Sequence, residues 1–79
     1  MPRLTGKVMD MSAQPVENAT ITIPSAGLFA LSDEKGSFAI DSIPPGIQTI
    51  YVVHRNFQKF GADVHLEGDM FVTLELDRQ

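Results

Sequence analysis

Ser32-Asp33-Glu34-Lys35-Gly36-Ser37-Phe38, followed shortly by Ile43-Pro44-Pro45-Gly46, sets two chain reversals between apolar segments, and the rest of the chain reads outward from them. Asp33 is placed to accept hydrogen bonds from backbone amides further along, Glu34 and Lys35 tolerate central turn positions, and Gly36 takes the positive φ that completes the reversal. Ser37-Phe38-Ala39-Ile40 then alternates small or polar with apolar residues, the two-residue period of a half-buried strand with Phe38 and Ile40 inward. A hairpin is predicted around the turn. Pro44 and Pro45 cannot donate ladder hydrogen bonds, so the strand stops there, and Gly46 releases the chain into a new strand from about Ile47.

The same alternation extends in both directions. Leu4 to Met9 reads as a first strand, with Leu4, Gly6 and Val8 in the inward phase. Asp10 to Val16 is a connection, and Ala19-Thr20-Ile21-Thr22-Ile23 is a second strand with threonine outward. Pro24-Ser25-Ala26-Gly27 breaks it. Leu28 to Ser32 gives a third strand, Ser37 to Ile40 a fourth, Ile47 to His54 a fifth, Ala62 to Leu66 a sixth and Phe71 to Leu76 a seventh, with Gly68-Asp69 between the last two. Asn56 to Gly61 has room for a single helical turn. Seven short strands without a helical apolar period predict an all-β chain of two antiparallel sheets packed face to face.

Composition narrows the class of function. A chain of 79 residues is read as one domain, 1–79, which buries roughly 60% of the surface its unfolded form exposes. There is no cysteine, so neither a disulfide nor a thiolate metal site supports the fold and the apolar core does so alone. A net charge of −4 with no cluster of Lys and Arg argues against nucleic acid, the nearest basic feature being the separated pair Arg55 and Lys59. No run approaches the ~18 apolar residues of a membrane span, so no direct membrane insertion is expected. Met1-Pro2-Arg3-Leu4 lacks the apolar centre of a signal peptide, which points to a cytoplasmic product or to a module of a longer secreted chain.

Leu4-Thr5-Gly6-Lys7-Val8-Met9-Asp10, Gln14-Pro15-Val16-Glu17-Asn18-Ala19-Thr20-Ile21, the Ser32–Phe38 turn, Ile43-Pro44-Pro45-Gly46 and Asn56-Phe57, in that order, resemble the carboxypeptidase regulatory-like domain over nearly the whole chain. The resemblance implies a transthyretin-like (prealbumin-like), seven-stranded Greek-key β-sandwich. It also implies a non-catalytic module of larger proteins and an extracytoplasmic setting: secreted, periplasmic or at the cell surface. Gly6, Asp33, Gly36, Phe38, Pro45 and Gly46 are the structural positions it marks. Two residues depart from the family pattern: Gln48 stands where an inward aromatic is usual, and Asn56 where glycine precedes Phe57. Asparagine tolerates the left-handed conformation, whereas Gln48 places an amide at the core rim.

No constellation of residues points to catalysis or to a cofactor. His54 and His65, the two histidines, fit no zinc spacing. Asp33 and Glu34 are neighbours in a turn and point apart, without the oxygen spacing of a calcium loop. Asp63, Glu67 and Asp69 read as a solvated acidic loop that discourages edge pairing. Ser12, Ser25, Ser32, Ser37 and Ser42 lie in turns or at strand ends, and none sits in a nucleophile elbow. The chain end, Leu74-Glu75-Leu76-Asp77-Arg78-Gln79, lacks the Tyr-Arg-Gly-Ser signature of the transthyretin-like hydrolase of purine catabolism. Asn18-Ala19-Thr20 matches a glycosylation sequon at the start of a strand.

The fifth strand carries the functional signal. Ile47, Thr49, Tyr51 and Val53 occupy one phase and Gln48, Ile50, Val52 and His54 the other, so both faces are largely apolar although a two-layer sandwich buries one. Phe29 and Leu31 extend the outer patch if the third strand shares the sheet. The expected function is protein interaction or spacing in a larger or oligomeric assembly, through a protein partner, a neighbouring domain or self-association at Phe29, Leu31, Ile47, Tyr51 and Val53. The alternative is a carbohydrate-binding module that stacks exposed rings at Tyr51, Phe57 or Phe60 on a glycan, although the chain has no tryptophan.

Overall fold

The computed structural model describes residues 2–78. Seven strands form: β1 (Leu4–Asp10), β2 (Thr20–Ile23), β3 (Leu28–Leu31), β4 (Ser37–Ile40), β5 (Gly46–Val53), β6 (Phe60–Leu66) and β7 (Met70–Leu76). They assemble as a three-stranded sheet, β4-β1-β7, packed on a four-stranded sheet, β3-β2-β5-β6. Alternation decides what lies between the sheets. Leu4 and Val8 of β1, Ile21 and Ile23 of β2, Ile50 and Val52 of β5, Leu66 of β6 and Leu76 of β7 are all buried, joined by Val16, Ala19 and Ile43 from connections. Each of these valines, leucines and isoleucines contributes about 1.5–3 kcal/mol by leaving water, and in a chain without disulfides this is the main stabilising term.

Three sequence expectations are corrected. The sandwich is not wholly antiparallel, because β1 and β7 run parallel over Leu4↔Met70 to Asp10↔Leu76. Parallel neighbours need a crossover, and the whole chain from β2 to β6 supplies it. The Asp33 turn joins no hairpin: β3 and β4 lie in different sheets, as do β6 and β7, so both reversals carry the chain across the sandwich. Burial explains this, since the inward side chains of consecutive strands face one another across the core. Finally, Asn56 to Gly61 holds no helical turn: the link from β5 to β6 is a tight turn closed by Phe57 N–H to His54 O at 3.1 Å, and β6 begins at Phe60.

The Asp33 turn has a twin. The Asp33 carboxylate accepts the amides of Lys35 and Ser37, both at 2.9 Å, while Gly36 N–H donates to Asp33 O and Asp33 N–H to Ser37 O. Asp10 repeats the pattern: its carboxylate accepts the amides of Ser12 at 2.8 Å and Gln14 at 3.0 Å, Ala13 N–H donates to Asp10 O, and Asp10 N–H to Gln14 O. Gly36 and Ala13 hold the same place, with φ +77° and +63°. The two turns meet at β1, where Val8 N–H donates to Gly36 O and Val8 O accepts from Val16 N–H. A Cβ on Gly36 would strike that Val8 carbonyl, and one on Gly6 would strike the Val72 carbonyl and the Phe38 ring. Buried Ser32 ties the same end together, accepting Ala19 N–H at 2.9 Å and donating to Val16 O at 2.7 Å. Gln48 is half-buried at the rim, donating to Pro44 O at 3.1 Å and accepting the Ser25 hydroxyl at 2.7 Å.

Left-handed backbone costs a non-glycine residue about 1–2 kcal/mol, partly offset by glycine's greater entropy loss on folding. Ala13→Gly is therefore expected to stabilise the domain by about 0.5–1 kcal/mol in urea unfolding at neutral pH. The Asp10 carboxyl is held below the ordinary aspartate range by the Gln14 amide, then by the Ser12 amide and by Arg78, whose guanidinium lies 3.6 Å away, against the opposing effect of burial. Its contribution to stability is complete above the ordinary value of about 3.9 and is lost as pH falls through the depressed folded value. Asp10→Asn should be less stable than the parent at neutral pH, with the gap in urea midpoint closing below about pH 4.

Candidate functional site

The outer face of the four-stranded sheet gathers four of the seven large apolar side chains that stay exposed among the described residues. β2 pairs with β3 on one side and β5 on the other, so ladder partners define rows across the sheet. One row is Phe29, Thr22, Tyr51 and Gly61; the next is Leu31, Thr20 and Val53. Towards the other end of β5 follow Thr49 opposite Asp63 and Ile47 opposite His65. Phe29, Leu31, Ile47 and Val53 remain 68%, 57%, 72% and 48% exposed, which places four large apolar side chains on one face in water.

Tyr51 is more settled than these. Its ring lies over Gly61, where an added Cβ would come within 3.0 Å of it, and the Lys59 ammonium stands 4.5 Å from the ring centroid. The ring covers backbone that a side chain at residue 61 would otherwise cover, and the cation sits on its electron-rich face. Asp63 accepts the Thr49 hydroxyl at 2.7 Å, and Glu67 lies 3.4 Å from His65. Beyond Val53 a shallow depression is lined by Asn18, Thr20, His54, Arg55 and Asn56. Lys59, Gly61 and Thr22 complete the face, yet sequence alternation did not single them out as a group, because their proximity depends on strand order.

The remaining candidates disperse. His54 accepts the Asn56 amide at Nδ1, so Nε2 carries the hydrogen that faces Glu17 O, each at 3.1 Å. Its ring meets Phe57 edge-on. Asp33 is committed to its turn, Glu34 is exposed, and Pro45 is exposed ahead of Gly46, which begins β5 at φ +113°. Asp69 accepts Arg3 N–H at 3.0 Å, away from the partners of Asp63 and Glu67. Among the described residues no three His, Cys, Asp or Glu side chains gather as for a metal ion. Of the rings expected to stack on a glycan, Phe57 is buried and Phe60 packs against the core, so only Tyr51 stays on the outer face, with β2 between it and Phe29, while exposed Phe71 belongs to the other sheet.

The sequence profile of the carboxypeptidase regulatory-like domain family matches residues 3–77. The chain belongs to that family. Comparison with curated proteins finds no match. Among solved structures, the domain is similar to a chain of two type II cohesin–X-dockerin complexes from Acetivibrio cellulolyticus, carrying mutations at the C-terminal and N-terminal interface respectively. TM-scores are 0.86 and 0.85 at 16% identity, over 96% of this chain and 57% of theirs. It thus spans little more than half the length of those chains. The C-terminal domain of the Caf1A usher is similar at TM-score 0.63 and 14% identity, over 96% of this chain and 97% of that one. At such identities the likeness is one of fold, an all-β sandwich.

Exposure and packing separate two kinds of residue on this face. Phe29→Ser should change folding stability by less than about 0.5 kcal/mol, as for a solvent-facing side chain. Tyr51→Ala should cost about 1 kcal/mol, because the cross-strand cover of Gly61 and the Lys59 contact both go. Urea midpoints of the two variants check this.

Proposed function

We propose that the domain is a non-catalytic accessory module that docks on protein through the outer face of its four-stranded sheet, with Phe29, Leu31, Ile47, Tyr51 and Val53 as contact residues, inside a larger or oligomeric assembly. The observation that carries this is the set of exposed apolar side chains on β3 and β5, bridged by two half-buried threonines of β2. Two rings in one row, Phe29 on the edge strand and Tyr51 on β5 with Thr22 between them, suit an interface in which a few aromatic anchors supply most of the affinity. The Caf1A usher domain of similar fold carries surface hydrophobic clusters important for F1 antigen assembly, and the cohesin–X-dockerin chains come from protein complexes. Both support a docking use of this scaffold. The family resemblance supports an extracytoplasmic setting for the module.

Photocrosslinking tests the reading. With benzoylphenylalanine at Phe29 in the purified domain, mixed with extract of its source cells, adducts one protein mass heavier are expected, whereas Thr73 on the opposite sheet should give none. Equal yields at the two positions, or no adduct at Phe29, would overturn it.

A further inference from the structure

We propose that the occupant of this face is a second copy of the same domain, seated about a two-fold axis that runs along the Phe29–Thr22–Tyr51–Gly61 row. The inference rests on the docking reading above and names its partner.

The argument comes from how charge is distributed about that row. On the β6 side, Lys59 precedes Phe60 and projects its ammonium onto Tyr51, while Asp63 lies two residues beyond Gly61 in the opposite direction. Further out the polarity continues: Arg55 lies past Val53 at one end, and Glu67 beside His65 at the other. The face is therefore apolar across its middle, basic towards one end of β5 and β6 and acidic towards the other. A two-fold along the central row reverses strand direction and leaves each strand facing its own counterpart. Lys59 then meets the partner's Asp63 and Asp63 the partner's Lys59, while the Phe29–Tyr51 row closes on itself. Such self-complementarity is what an isologous interface requires.

The competing arrangement fails on the same geometry. A two-fold along the strands exchanges β6 with β3 and sets Lys59 over the partner's Leu31, which removes an ammonium from water without a counter-charge. Charge thus selects one register, as complementary charges do at specific interfaces. The opposite sheet offers less apolar surface, since its outer phase carries Thr5, Lys7, Ser37, Ala39, Thr73 and Glu75, with half-buried Met9 and exposed Phe71 as its large apolar residues, in separate rows. Strands about 4.8 Å apart and four to eight residues long project roughly 400 Å² per copy. The pair then buries about 800 Å², below the standard interface range, so the expected dimer is weak and dependent on concentration.

Sedimentation equilibrium from micromolar to millimolar protein reads the outcome. The parent is expected to rise from 8.7 kDa towards twice that mass. Lys59→Glu and Asp63→Lys should each weaken association by about tenfold or more, since each sets like charges face to face on both sides of the axis. An equimolar mixture of the two should regain it, because opposite charges then meet on both sides of the axis. Lys59→Gln and Asp63→Asn, which remove attraction without adding repulsion, should fall between, and circular dichroism should show every variant folded. Charge variants that associate as the parent does, or a mixture that regains nothing, would overturn the two-fold arrangement. A parent that stays monomeric at millimolar concentration would overturn the second copy as occupant. The docking reading is judged separately, by whether Phe29 crosslinks to any protein at all, a second copy or a different one.

Discussion

The backbone of Val8 is held from two directions, and the sandwich depends on that. Its N–H reaches the Gly36 carbonyl at the end of the turn from β3 to β4, and its carbonyl receives Val16 from the segment that leads to β2. One residue of β1 therefore fixes where the chain leaves the three-stranded sheet and where it returns. The Asp10 and Asp33 turns supply the rigidity, each using one carboxylate oxygen to bind two amides of the loop that follows it. With both crossings fixed at the same end, the apolar phases of β1 and β2 can face each other only in one register, since a slip of one residue would turn Ile21 and Ile23 outwards.

That constraint explains what the sequence could and could not convey. Strand positions were legible because Thr20-Ile21-Thr22-Ile23 and Phe38-Ala39-Ile40 alternate with one face buried, and burial is a property each strand displays by itself. Sheet membership was not. The Asp33 turn has the local chemistry of a hairpin, yet the partner of each flanking strand is chosen by the layer that covers its apolar phase, which lies elsewhere in the chain. The Asp10 turn escaped notice for a simpler reason: Ala13 occupies the left-handed position that Gly36 fills in the other copy, so the usual glycine signal is missing. Gln48 looked like a defect at the core rim, but its amide meets Ser25 and Pro44, brought close by the short 3₁₀ turn Pro24–Ala26 and the loop before β5.

The candidate surface follows the same division. The double apolar character of β5 and the out-of-phase Phe29 and Leu31 were visible in the alternation. That two threonines of β2 stand between them, and that Lys59 and Asp63 flank the Tyr51 row on opposite sides, are consequences of strand order. Threonine suits that place: its methyl group continues the apolar surface while its hydroxyl keeps the face soluble when uncovered. Tyr51 has a similar double use, lying on Gly61 whether or not anything docks above it. The face is thus largely organised before contact, which lowers the entropy that association must overcome.

The parallel ladder between β1 and β7 also has a mechanical meaning. Leu4, where β1 begins, sits beside Met70, and Leu76, where β7 ends, sits beside Asp10. Tension applied at Leu4 and Leu76 pulls the two strands past each other along their length, so the ladder is loaded in shear, with its hydrogen bonds sharing the force. They do not open one at a time from an end. The strand pair that closes the three-stranded sheet is therefore also the part of the domain best placed to resist stretching.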